Sequence, residues 1–416
     1  MCHPLRVFKS QPTIAVMCVV NGLFIQICCA ASFEVPTMPP EGSPLLGLRG
    51  SLPGNDAAPF GPLESAKGGF GYGISLQSTY DSNFFLTESD PSSELTTDVL
   101  PWISYSSDPD GAAPFSVTAR YQPNIRTYLN HPDLNGVDQS GGATMTVRGA
   151  KTVISTSLNY STLSGTDRLS GTFVTGSVLA AGISGSYQIA PRTSLFANLR
   201  ASKVDYASGA QVGSDDYSAD VGGYWSATER FSFGPSISFD RETSDNTGTR
   251  DAWALNMQAR YLAGEKLTFV GSLGLQYSVN SREQGKGKLA PVGGLAAIYA
   301  INERLQWNNS VQYSTVPSAT EVNYMINDLA VSTSLTRQFV RSSASIGLQL
   351  NISDYQEVGT VGTKLGNQDD FSAFLAYRRT LFSDRLNFDS SIRYTVNQGQ
   401  TDWNQFQIAV GLSYDF

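Results

Sequence analysis

The chain has 416 residues, of which only 15% are charged, while ordinary globular domains carry roughly 25%. Its 36 acidic residues outnumber 28 basic ones, and the Lys and Arg are scattered, which argues against nucleic-acid binding. All four cysteines (Cys2, Cys18, Cys28, Cys29) precede residue 30, so no disulfide framework, thiolate metal site or cysteine nucleophile can be built beyond it.

Residues 1–31 read as an export signal. Arg6 and Lys9 give a positive start, Thr13 to Cys29 is mostly apolar, and Ala30, Ala31 and Ser32 offer small residues for cleavage. Cleavage after Ala30 and after Ser32 both fit, and a retained signal anchor is the alternative. A lipidated cysteine needs small residues before it, whereas Gln26 and Ile27 precede Cys28 and Cys29. Removing Arg6 and Lys9 with the leader takes the net charge from −8 to −10.

Residues 32–68 contain seven prolines (Pro36, Pro39, Pro40, Pro44, Pro53, Pro59, Pro62) and several glycines. Such a stretch packs no core and reads as a flexible periplasmic lead-in, or as a docking tail for a partner.

From residue 69 to 416 the chain alternates strand-like runs of about ten residues with turn signals. Transmembrane strands need roughly 9–11 residues. Counting runs predicts an all-β fold: an antiparallel up-and-down transmembrane barrel of eighteen strands, with sixteen as the alternative. The runs centred near residues 144 and 295 carry the weakest alternation. Odd-numbered connections such as 81–94, 130–140 and 353–368 are long and polar; even-numbered ones such as 149–150 and 302–303 are short. That asymmetry is the one bacterial outer-membrane barrels show.

Alternation is clearest in the last third. Leu386, Phe388, Ile392, Tyr394 and Val396 face one way, and Asn387, Asp389, Ser391, Arg393 and Thr395 the other. Lipid accepts only the apolar set, so the polar set should line a lumen. Closure would pair every backbone amide and abolish the sheet edges. Two aromatic belts at headgroup level are expected. One comprises Tyr80, Tyr128, Tyr160, Tyr206, Phe239, Tyr277, Tyr313 and Tyr394; the other comprises Tyr187, Trp225, Phe231, Tyr261, Tyr299, Tyr377 and Phe416.

The same parity sends Arg120, Arg148, Arg200, Arg260, Arg378 and Arg393 inward, with Asp220, Asp240 and Asp389. These are the candidate pore-lining residues. Either they pair and stiffen the wall, or the arginines form a constriction that favours anions or acidic sugars.

Little else carries chemistry. His131 is the only histidine past the leader, and beside Asp133 it is the sole anchor for a hydrolase reading; His-Pro-Asp is equally a turn sequence. Asp108 with Asp110, Asp215-Asp216 and Asp369-Asp370 lack the ligand spacing of a dedicated calcium loop. No catalytic residue, metal site or cofactor is assigned.

The chain ends Phe406-Gln-Ile-Ala-Val-Gly-Leu-Ser-Tyr414-Asp-Phe416, six apolar positions alternating with small or polar ones up to the last residue. An edge strand of a soluble sandwich is the bland reading. Tyr414 and Phe416 resemble the terminal insertion signal of outer-membrane barrels, which implies recognition by the barrel assembly machinery and residence among outer-membrane lipid and lipopolysaccharide.

One further segment carries a resemblance. Gly73 to Thr87 contains Tyr80-Asp81-Ser-Asn83-Phe84, and Leu95 to Tyr105 contains Thr96-Thr-Asp98 and Pro101-Trp102. These resemble the start of the type 2 β-barrel porins associated with exopolysaccharide gene clusters, with Trp102 where that family has glycine. The resemblance covers about thirty-five residues. It implies an outer-membrane channel for extracellular polysaccharide, working with periplasmic export components, and carries over no catalytic residue. A closed, partner-binding barrel is the alternative function.

Overall fold

The computed structural model describes residues 14–20, 23–29 and 69–416, apart from residues 109–110, 167–171, 208–211, 245–247, 284–286, 318–323, 358–366, 383–384 and 400–401. The expected leader and the proline-rich segment therefore lie largely outside the described residues. In the segment expected to be the leader, β1 (Ile14–Val20) and β2 (Leu23–Cys29) pair as an antiparallel hairpin.

Eighteen further strands close on themselves. They begin with β3 (Gly69–Asp81), β4 (Glu94–Ser106), β5 (Phe115–Tyr128), β6 (Gly136–Arg148), β7 (Thr152–Thr166) and β8 (Phe173–Ala190). The middle six are β9 (Thr193–Tyr206), β10 (Ser214–Ser226), β11 (Phe231–Ser244), β12 (Gly248–Ala263), β13 (Leu267–Asn280) and β14 (Gly287–Asn302). The last six are β15 (Leu305–Pro317), β16 (Tyr324–Gln338), β17 (Ser342–Glu357), β18 (Gln368–Thr380), β19 (Leu386–Gln398) and β20 (Trp403–Asp415). Each pairs antiparallel with its chain neighbours, and β20 returns to β3 through Gln407↔Asp81 to Asp415↔Gly73. Eighteen is the correct count, and the two weakly patterned runs are strands β6 and β14.

The strands are longer than the sequence pattern indicated, 13 to 18 residues. At about 3.3 Å per residue they overrun an apolar band about 25 Å tall even when tilted. Hydrophobic alternation ends where lipid ends, but backbone pairing continues into water, so segments that read as loops are strand ends.

The outside is oily. Leu273 is 71% exposed, Ile237 63% and Leu255 62%, a pattern no soluble protein sustains around its whole circumference. No described helix is long and apolar enough to cross a membrane; the strands do that. Charged residues on the outward rows sit near strand ends, as in the cross-strand pair Arg241–Asp251, whose Nε–Oδ1 distance is 2.6 Å. The chain is an outer-membrane β-barrel.

The belts are as expected with two exceptions. Tyr80, Tyr160, Tyr277 and Tyr394 lie outward, as do Tyr187, Trp225, Tyr261 and Phe416. Tyr128 and Tyr206 stand on the even, inward rows of β5 and β9. Tyr128 is buried against Phe84 and Phe173, so both leave the outer belt. Register, not residue type, decides the face.

One ladder is interrupted. Strands β4 and β5 pair from Thr96↔Tyr128 to Val99↔Ile125 and again from Ile103↔Tyr121 to Ser106↔Thr118. The same register sets Pro101 opposite Pro123 in the gap. Neither has an N–H to give, so the interruption follows directly from the sequence.

Candidate functional site

The barrel interior is the candidate site. Seen along the axis, all nine residues singled out from sequence stand on inward rows. Asp220 is buried on β10 and accepts a hydrogen bond from Asn198 Nδ2 at 3.3 Å. On β18 and β19, Arg378 Nε lies 2.5 Å from Asp389 Oδ1. Arg148 donates to Ser116 Oγ at 3.0 Å and to Ala113 O at 3.3 Å, with Asp108 at 3.9 Å. Asp240 receives Arg250 Nη1 at 3.3 Å. Arg120 donates to Gln122 Oε1 at 2.9 Å and lies over the ring of Trp102, 5.3 Å from its centroid. Arg393 covers Phe374 at 5.9 Å. Arg260 has a buried Nε with no hydrogen-bond partner among the described residues. Arg200 is exposed to the bore halfway along β9.

Several charged groups went unassigned because they stand toward strand ends, where the apolar alternation fades. Arg126, 13% exposed, holds Asp98 at 2.7 Å and Asp138 at 3.4 Å. Arg250, only 6% exposed, meets both Asp240 and Glu242, and those two carboxylates form with Asp216 a group whose oxygens lie within 4.8 Å of one another. The Arg250 guanidinium offsets one of the three negative charges of that group. Carrying the period of two past the last apolar residue, from Ser236 and Ser238 to Asp240, Glu242 and Ser244, would have revealed it.

The full charge census of the described inward rows differs from the arginine-dominated one expected. In the half toward the long connections stand Asp81, Glu94, Asp98, Asp138, Asp216, Asp240, Glu242, Asp328, Glu357 and Asp370, against Arg126, Arg250 and Lys288. From the middle to the short turns stand Arg120, Arg148, Arg200, Arg260, Arg378 and Arg393, against Asp220, Asp389 and Asp415. The interior is thus acidic at one end and basic in the remainder.

At the acidic mouth the first long connection, residues 82–93, is built in rather than free. Asp81 Oδ2 accepts hydrogen bonds from Gln405 and Gln407 at 2.7 and 3.0 Å, and its Oδ1 accepts the Asn83 amide at 2.9 Å. Asn83 Nδ2 donates to Thr87 O and Asn404 O at 2.9 and 3.0 Å. Phe84 and Leu86 are buried. The Tyr80-Asp81-Ser-Asn83-Phe84 segment therefore ties the first strand to the last. Trp102, on the inward row of β4, lies flat over Gly73, where a Cβ would come within 2.6 Å of its ring; glycine at 73 is what makes room for it.

His131 is committed to the same structure. Its Nδ1 lies 2.6 Å from Glu94 Oε2, and Glu94 Oε1 accepts the amides of Leu95, Leu129 and Asn130 at 2.8–2.9 Å. The histidine also meets the edge of Phe85 and the face of Phe84. A buried glutamate, not Asp133, is its partner. The acidic doublets fare no better as ligand sets: Asp215 and Asp216, and Asp369 and Asp370, are strand neighbours and point to opposite faces. Asp110 lies outside the described residues.

No family model and no curated protein matches the sequence. Among solved structures the chain is similar to OpdK of Pseudomonas aeruginosa with vanillate, at 11% identity and TM-score 0.47 over 83% of this chain and 99% of that one. It is similar to OpdQ of the same organism at 11% identity and TM-score 0.46, over 83% and 98%. The FrpB iron transporter of Neisseria meningitidis (F3-3 variant) gives 9% and 0.46 over 79% of this chain, which spans 62% of that transporter.

Proposed function

We propose that the protein is an outer-membrane channel for polar and anionic solutes, with extracellular polysaccharide as its cargo. The observation that carries the channel reading is the inner surface. It is polar on most strands, and on β8 the inward row carries small side chains, among them Gly176, Ala180, Gly182, Ser184 and Ser186. Arg200 projects from the neighbouring strand into the space they leave. Barrels of sixteen to eighteen strands enclose more volume than such side chains fill, which leaves water in the bore. The cargo rests on the resemblance of residues 73–105, together with periplasmic export components as partners. Lipopolysaccharide would meet outward pairs such as Arg241–Asp251.

A second reading, a closed and partner-binding barrel, draws support from the mouth, where Phe84, Leu86, Tyr128, Leu163 and Val174 are buried together on one flank. Planar-bilayer recording of the purified protein separates the two. Stable openings support the channel; a silent bilayer supports the closed barrel. For the cargo, deletion of the gene should abolish extracellular polysaccharide while leaving other envelope properties intact, and unchanged polysaccharide would refute that assignment. The short turns belong on the periplasmic side by the usual asymmetry of these barrels.

A further inference from the structure

We infer that the bore is an ionic diode: it passes anions more readily from the short-turn end to the long-connection end than in reverse. This rests on the channel reading above and adds direction to it. The argument starts from the axial separation of charge on the inward rows. The ten carboxylates of the mouth outnumber its three cations, and the six arginines of the remaining wall outnumber their three carboxylates.

Internal pairing does not cancel this. Arg126 and Arg250 are each shared by two carboxylates, so the mouth keeps excess negative charge. In the other zone, Arg200 and Arg393 lie midway along β9 and β19, and Arg260 lies near the turn end of β12. Asp389 pairs there with Arg378, and Asp108 in the adjoining turn lies 3.9 Å from Arg148.

Mobile ions follow the fixed charge. Cations concentrate in the mouth and anions in the basic zone. A field that drives both toward the boundary between zones fills it with carriers and raises conductance. The opposite field empties it. High conductance therefore occurs when the long-connection end faces the positive electrode, with anions leaving the basic zone through the mouth. At 0.1 M salt the screening length is about 10 Å and wall charges act across the bore; at 1 M it is about 3 Å and they do not.

The test is current–voltage recording of single channels in symmetric KCl, with reversal potentials read separately in a KCl gradient. Orientation is read from Glu88→Cys, an exposed loop position in a barrel otherwise free of cysteine, by adding a bulky membrane-impermeant thiol reagent to one chamber. At 0.1 M KCl the current ratio between polarities should be about twofold, larger with the long connections on the positive side, and close to 1 at 1 M. Asp328→Asn with Asp370→Asn should lower the ratio and shift the reversal potential toward anions. Arg200→Ala with Arg260→Ala should lower it and shift the potential toward cations. A silent bilayer overturns both the channel reading and this inference. Stable openings with a linear response at 0.1 M, with the opposite polarity, or with a ratio that neither variant moves overturn the diode alone.

Discussion

Replacing Leu255 with arginine tests the two-residue rhythm on which the barrel stands. Leu255 lies midway along β12 and is 62% exposed on the outward row. Its neighbour Ala254 faces inward, opposite Ser238 and Gln276. Leu255→Arg places a guanidinium at the level of the bilayer midplane, at a cost of about 2–4 kcal/mol. Ala254→Arg puts the same group one residue away, into a hydrated bore beside polar side chains, and should cost less than about 1 kcal/mol. The difference, about 1–4 kcal/mol, corresponds to roughly a 5- to 700-fold change in the folding equilibrium, at about 1.4 kcal/mol per factor of ten. Urea titration of the barrel in lipid vesicles, followed by tryptophan fluorescence, measures both variants. Equal costs, or a larger cost at Ala254, would refute the assignment of faces.

Three other outcomes are expected. Arg126→Ala strands Asp98 and Asp138 without their cation and should destabilise the barrel by about 3–5 kcal/mol, read in the same titration, with Asp98→Asn recovering part of the loss. Asp81→Ala removes the acceptor of three hydrogen bonds at the closing seam and should cost about 1–3 kcal/mol, seen as a lower temperature for loss of the compact band in gel electrophoresis. Pro101→Ala with Pro123→Ala supplies two amides to the interrupted ladder. Hydrogen exchange there should slow, while global stability moves by less than about 1 kcal/mol, because freeing the unfolded chain offsets the new bonds.

How much was legible in the sequence depended on solvent. Wherever a strand touches hydrocarbon on one side, a wrong side chain costs several kcal/mol, and the period of two is written clearly, as in β13 and β19. That made the strand number and the parity of Arg200 or Asp389 readable. Beyond the hydrocarbon both faces meet water, the constraint lapses, and Glu94, Asp216 and Glu242 look like loop residues although they are paired strand positions. Tyr128 was misassigned for the same reason: an aromatic at a strand end suits a lipid headgroup or a packed mouth equally well. The ties of Asp81 and Asn83 to residues 404–407 join positions more than three hundred apart, and no local pattern signals them.

Those ties also order events in time. The first connection cannot adopt its final shape until the carboxy-terminal strand has arrived, since Asn404, Gln405 and Gln407 supply its partners. An unfinished cylinder therefore keeps a loose, protease-sensitive segment at residues 82–93, and completing the circle tucks that segment away. The molecule carries at its rim a local record of whether its assembly is complete.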